Sequence, residues 1–318
     1  MKRILGVFFA IIIWSCGKEN KPEEEISKIE VSFNVERFDK ALSGADVSNL
    51  PGLKSRFPLL FPESYPDSIW VKRLNDTLQA ELVEEVGKVY PDFKKETDQL
   101  HSLFQHASYY LNDFTPPDVI TLTTEVDYRN SVIYADSLLL IGLDNYLGKD
   151  HKFYTGIQEY LKRDFEPDLI VVDAASKIAR SRLTLPSDRT FLAAMILYGK
   201  ELYLKDLLIP FKTDAEKIKY TEKQIQWARN NETNIWRHLV DNNALFSTDQ
   251  SLKTRFIEPA PFSKFYLSFD AESPGRIGQY VGWQIVRSYM ENNDVSLQQM
   301  LKMSTEEIFN NSRYKPGK

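Results

Sequence analysis

Three aspartates sit beside or within apolar runs: Asp136 and Asp144 in YADSLLLIGLDNY, and Asp173 in IVVDAAS. A carboxylate in such surroundings costs free energy unless it is paired or hydrogen-bonded. Two carboxylates in different environments can share general acid and general base work on a peptide or glycosidic bond. That chemistry requires the three to converge in one cleft. The other account is structural, a cap or a buried ion pair with Lys177, Arg180 or Arg276. Lys177 follows Asp173 by four residues, which places both on one helix face and makes a salt bridge the plain expectation. A second constellation lies in RFIEPAPFSKFYLSFDAESPGRIGQYVGWQIV. Phe262, Phe265, Tyr266, Tyr280 and Trp283, with Arg276 at a helix start, could line a groove suited to a peptide or a sugar. The same aromatics could instead close a core.

Other chemistries are excluded by what the chain lacks. His101 and His106 are five apart and point to different helix faces, while His151 and His238 are remote in sequence. There is no H-E-x-x-H and no C-x-x-C, so no metal site is expected. No G-x-S-x-G elbow, P-loop or G-x-G-x-x-G occurs. With 13 glycines in 318 residues a nucleotide cradle is not expected, and no cofactor is assigned. Forty basic against forty-five acidic side chains give a net charge of −5, which argues against a nucleic-acid partner. A chain that is 42% hydrophobic and 27% charged is an ordinary globular one.

The first residues read as an address. Met1-Lys2-Arg3 is a positive head, and ILGVFFAIIIW is an apolar run too short to span a bilayer. It ends in Ile13-Trp14-Ser15-Cys16, and Cys16 is the only cysteine in the chain. This arrangement resembles the lipobox of bacterial lipoproteins. The resemblance implies cleavage before Cys16, a diacylglycerol on its sulfur and acylation, such as palmitate, on its amine. Two or more acyl chains anchor stably where one is marginal. Removing residues 1–15 takes away two cations and leaves a net charge of −7. Residues 16–28 are polar and carry Pro22 and three consecutive glutamates, which predicts a flexible tether. Residues 29–318 are then one globular domain.

Alternation predicts strands over 29–38 and 119–126, and a strand or strand pair within 131–146. Residues 50–66, with four prolines, read as an extended loop. Helical spacing covers 68–87, 91–112, 169–182, 190–207, 221–242 and 277–290, followed by short helices near 296–302 and 304–311. Gly278 and Gly282 are four apart, which allows another backbone to come close. The expected class is α+β, predominantly helical, with one small sheet from the N-terminal half.

The lipobox, SLLLIGLDNYLGKDHKFY, MILYGKELYLKDLLIP and PAPFSKFYLSFDAESPGRIGQYVGWQIVRSYMENNDVSLQQML together resemble the gliding-motility lipoprotein GldB family of Bacteroidota. The likeness covers the mature chain and is most specific from about residue 131 onward. It implies a membrane-bound lipoprotein of the diderm cell envelope, needed for gliding and tied to type IX secretion, with envelope proteins as partners. A second resemblance is to zinc peptidases of the gluzincin type, in which one helix carries H-E-x-x-H and a later helix supplies a glutamate ligand. The comparable residues here are Asp173-Ala174-Ala175-Ser176-Lys177, and Tyr198-Gly199 stands where such enzymes often have Glu-Gly. The resemblance implies a degenerate, pseudo-peptidase core that kept a groove and lost its metal.

The expectation is therefore a lipid-anchored, non-catalytic binding or assembly component of the gliding and secretion apparatus. The alternatives are an envelope hydrolase working with carboxylates, or a chaperone-like carrier of secreted chains.

Overall fold

The computed structural model describes residues 21–268 and 270–317. The expected signal segment and Cys16 lie outside the described residues. Helices dominate: α1 Lys21–Ile26, α2 Phe38–Ser43, α3 Leu50–Arg56, α4 Asp67–Leu74, α5 Thr77–Val89, α6 Lys94–Tyr110, α7 Glu159–Lys162 and α8 Ile170–Ser181. They continue with α9 Phe191–Leu208, α10 Asp214–Ile218, α11 Glu222–Asn230, α12 Glu232–Asp241, α13 Gln250–Phe256, α14 Ile277–Asn292, α15 Leu297–Lys302 and α16 Thr305–Ser312. Four short strands, β1 Val35–Arg37, β2 Asp118–Leu122, β3 Val132–Ala135 and β4 Leu138–Gly142, form one mixed sheet. Their order is β1-β2-β4-β3, with β1/β2 and β2/β4 parallel and β3/β4 antiparallel. This is the α+β, helix-dominated class expected from the sequence.

The two-residue period of the strands decides which core each side chain joins. Val119, Leu139 and Ile141 face the large helical core built mainly by α6, α8, α9 and α14. Ile120, Leu122, Leu138 and Leu140 face the other way, onto Phe38, Leu42, Leu50, Leu53, Phe57, Phe61 and Trp70. The sheet is thus a central layer between a small N-terminal cover and the main body. Parallel strands need both faces covered, which explains their near-continuous apolar character.

Polar residues break two helices that spacing alone reads as continuous. The stretch 68–87 divides at Asn75-Asp76, where the Asp76 carboxylate accepts from the N–H groups of Leu78 and Gln79 and starts α5. The stretch 221–242 divides at Asn231 between α11 and α12. Residues 50–66 contain α3, whose Pro51 sits in the first turn, where its missing N–H costs nothing. The strand expected over 29–38 is reduced to β1.

The tether expected over 16–28 differs from residue 21 on. Lys21–Ile26 is helical, and Ile26 is buried in the fold. Glu23 approaches the His106 ring at 3.4 Å, and the Tyr109 hydroxyl donates to Glu25. Gln105 donates to the Ile29 carbonyl. One apolar side chain and this fringe of hydrogen bonds dock the segment on α6.

The closest helix crossing joins α9 to α14. A Cβ on Gly282 would lie 1.9 Å from the Met195 carbonyl oxygen, and one on Gly199 would lie 2.2 Å from that of Gly282. The close approach read from the glycine spacing of 277–290 is present here. Farther along, Arg287 reaches Asp206 through Nε and an NH2 group, both at 2.7 Å, and also holds Asp214. Its guanidinium lies 3.7 Å from the Trp283 ring centroid, and Trp283 Nε1 donates to Asp206. These contacts fix α9, α10 and α14 to one another.

Candidate functional site

Helix α8 buries Ile170, Ala174, Ala175 and Ile178 against the main core. Its polar residues recur at helical spacing on another face: Asp173, Lys177 and Arg180. From α9, Tyr198, Glu201 and Lys205 project to the same place by the same periodicity. Lys219, at the end of α10, and Arg276, at the start of α14, both adopt left-handed backbone, with φ of 56° and 63°. The loop of Tyr128, Arg129 and Ser131 closes the remaining side. The result is a cleft with two adjoining lobes of about 320 and about 470 Å³, which share Asp173 and Lys219.

Asp173 is the hub. Its carboxylate accepts from Lys219 Nζ at 2.6 Å and from the Tyr146 hydroxyl at 2.6 Å. Burial alone would raise its pKa, but the Lys219 charge and these two hydrogen bonds outweigh that and hold it below the ordinary carboxylate value. Burial likewise works against the Lys219 ammonium, and Asp173 and Asp164 more than offset it, so its pKa is raised. Lys177 is not the partner that its spacing suggests. Lys219 from another element takes that place, and Lys177 lines the cleft with no acidic partner among the described residues. Arg180 donates from Nε to Glu201 at 2.8 Å. Arg276 donates to the Lys219 carbonyl, which ties the two left-handed residues together.

Lys205 is almost fully buried, and its Nζ donates to the Lys217 carbonyl. Burial pulls its pKa down to about 8. Below pH 8 the ammonium is charged in both the folded and unfolded chain, so its burial penalty is fully present. Between about pH 8 and 10 the folded chain releases a proton that the unfolded chain keeps, so stability rises with pH. Lys205→Met should therefore be about 1–2 kcal/mol more stable than the wild type at pH 7. That gap should close as pH approaches 10, in urea titrations at a series of pH values. A gap that widens with pH would refute the assignment.

The other carboxylates do not join Asp173. Asp136 is exposed in the turn between β3 and β4. Asp144 is fully buried, and its oxygens accept from the N–H groups of Thr124 at 2.9 Å and Val126 at 2.7 Å. Burial raises its pKa against those hydrogen bonds. It pins a loop in which Glu125 and Val126 have positive φ, a costly conformation for a β-branched residue. Asp144 thus sets the path of the chain toward Tyr128 and Arg129, as a structural clamp. Its neighbour Asn145 lines the larger lobe; the amide Nδ2 donates to Thr124 Oγ1 and the Gly142 carbonyl, and Oδ1 is buried with no partner among the described residues.

The aromatics expected to line one groove are dispersed. Trp283 and Tyr280 are buried, with the Tyr280 hydroxyl on Glu232. Phe265 packs among His238 and Phe256, Phe262 is half-buried, and Tyr266 is exposed over Arg255. Of that set only Arg276 lines the cleft. A larger hollow of about 880 Å³ lies near the start of α6, but it is open, and Lys94 and Lys95 there are already paired with Asp98 and Asp168.

Asp173, Lys177 and Tyr198, the residues compared with peptidase ligand positions, do line the same lobe. They do not fit zinc. Asp173 is committed to Lys219, and Lys177 brings a cation. Among the described residues no group of three His, Cys, Asp or Glu side chains is arranged to hold a metal ion. Sequence patterns do not single out Arg129, Glu201, Lys205 and Lys219, because these residues reach the cleft from separate segments.

No helix among the described residues is long and apolar enough to cross a membrane. No curated protein matches the chain, and no solved structure does. The family model described as gliding motility protein GldB matches residues 19–316, nearly the whole chain, and the chain belongs to that family.

Proposed function

We propose that this chain is a lipoprotein of a Bacteroidota cell envelope, cleaved before Cys16 and held to the membrane by acyl groups on that residue. Its folded domain serves the gliding and secretion apparatus as a non-catalytic binding component. The observation that carries the reading is the cleft between α8 and α9. Asp173, Lys177 and Tyr198, the residues compared in sequence with peptidase ligand positions, line one lobe of it, with Asp173 paired to Lys219 and Lys177 adding a cation. A pseudo-peptidase keeps such a groove for binding. Family membership supports the gliding context. The hydrolase alternative requires a carboxylic acid still protonated near neutral pH, whereas Asp173 is held low.

Two measurements test this. In the native host, wild-type protein should take up a clickable palmitate analogue and sediment with membranes, and Cys16→Ser should do neither. A labelled Cys16→Ser, or a wild type free in the soluble fraction, would remove the anchor. Protein purified from zinc-supplemented medium should carry far less than one zinc per chain and leave peptides uncut. Stoichiometric zinc with peptide hydrolysis would replace the binding reading by an enzymatic one.

A further inference from the structure

The chain is acidic overall, yet its cleft is not. Seven cations and four carboxylates line the two lobes. Lys219 is matched by Asp173, Arg180 by Glu201 and Lys217 by Asp206. Among the described residues Lys177 and Arg129 have no acidic partner, and both border the smaller lobe. Arg276 stands beside them with its nearest carboxylate, Asp164, 3.9 Å away. Unmatched cations grouped in a concave site favour an anion, and a guanidinium can hold a carboxylate through two parallel hydrogen bonds.

The larger lobe adds a different requirement. Leu161, Phe165 and Pro259 give that lobe an apolar wall. An anion in one lobe and an apolar wall in the adjoining one suit a peptide segment that carries an acid group.

We propose that the cleft holds an extended peptide by a carboxylate placed against Lys177 and Arg129, with the adjoining residues of the peptide along Leu161, Phe165 and Pro259. The carboxylate is either the C-terminus of the bound chain or an aspartate or glutamate side chain. This deepens the reading of the cleft as a binding site and rests on it.

The test uses the full-length protein in detergent and three fluorescent pools of short peptides. The first has a free C-terminus and no acidic side chain. The second is the same but amidated. The third is amidated with one fixed glutamate. The first or the third pool should bind at least about tenfold more tightly than the second, a difference of about 1.4 kcal/mol. The pool that binds identifies the source of the carboxylate. Because Lys177 and Arg129 have no acidic partner among the described residues, Lys177→Glu and Arg129→Glu should each keep the wild-type melting temperature while losing that preference. Equal binding of all three pools, or binding of none, overturns the proposal. So does displacement by inorganic phosphate far more readily than by acetate, which would assign the site to phosphate. Cleavage of bound peptides, followed by mass spectrometry, would overturn the non-catalytic reading. Absence of the preference in wild-type protein that neither cleaves peptides nor leaves the membrane would overturn this inference alone.

Discussion

Gly282→Ala should lower the free energy of unfolding by about 3 kcal/mol, although alanine is the better helix former. The intrinsic preference alone would make the change favourable by about 1 kcal/mol. The neighbour reverses the sign. The new methyl carbon would lie 1.9 Å from the Met195 carbonyl oxygen and 2.4 Å from its carbon, and both are backbone atoms of α9 that cannot rotate away. The helices must separate, which strips contact from a buried crossing. Gly87 is the internal control. It lies in α5, and a Cβ added there would meet nothing within 4 Å, so Gly87→Ala should stabilise by about 0.5–1 kcal/mol. Opposite shifts in urea midpoints for the two variants are the expected result. A neutral Gly282→Ala would mean that α9 and α14 are not in backbone contact. The same change should disturb the cleft, because Tyr198 and Glu201 flank Gly199 on α9, and Arg276 immediately precedes α14.

The parts of the fold that can be read from the sequence are those governed by local physics. Helices α6, α8, α9 and α14 show their spacing, Ser296 and Ser304 announce α15 and α16 as caps, and VITLTTEV announces β2. The strand pair within 131–146 is legible in the same way. What spacing misses are breaks at asparagine and aspartate, where a side chain competes for the backbone without disturbing the apolar rhythm. Asp76 and Asn231 are such positions. The cleft is harder to see because its charges come from the 128–131 loop, α8, α9, the end of α10 and the start of α14. No local pattern relates Asp173 to Lys219, forty-six residues later. The four-residue spacing points instead to Lys177, which shows that a shared helix face is permission for an ion pair and not a reason for one. Asp144 and Asp173 look alike in sequence, each a lone acid in an apolar run. Their roles diverge only because one meets backbone N–H groups and the other meets a lysine. Trp283 and Tyr280 read as groove residues because aromatic density does not reveal which way a helix turns its faces.

Asp173→Ala should cost about 3 kcal/mol at neutral pH, near the lower end of what removing one member of a buried ion pair costs. Asp173 and Lys219 side chains are each about 15% exposed, so the stranded ammonium gains little help from water. Asp164, at 3.8 Å from Lys219 Nζ, limits the loss. The Tyr146 hydroxyl, buried and held protonated far above its ordinary pKa by that burial and by Asp173, loses its acceptor as well. A double variant, Asp173→Leu with Lys219→Met, should recover much of the loss, because it removes the stranded charge along with its partner. The pH dependence separates charge from packing. Asp173 has a folded pKa below its unfolded one, so its contribution is present above the ordinary carboxylate value of about 3.9 and fades as pH falls through the folded value. Asp173→Asn keeps the shape and a hydrogen-bond acceptor but never carries the charge. The stability gap between wild type and Asp173→Asn should therefore be constant from about pH 7 to 5 and shrink toward pH 3. A gap independent of pH down to that point would mean that the carboxylate acts here only by shape and hydrogen bonding. The cleft would then owe its arrangement to Lys219 and Arg276 alone.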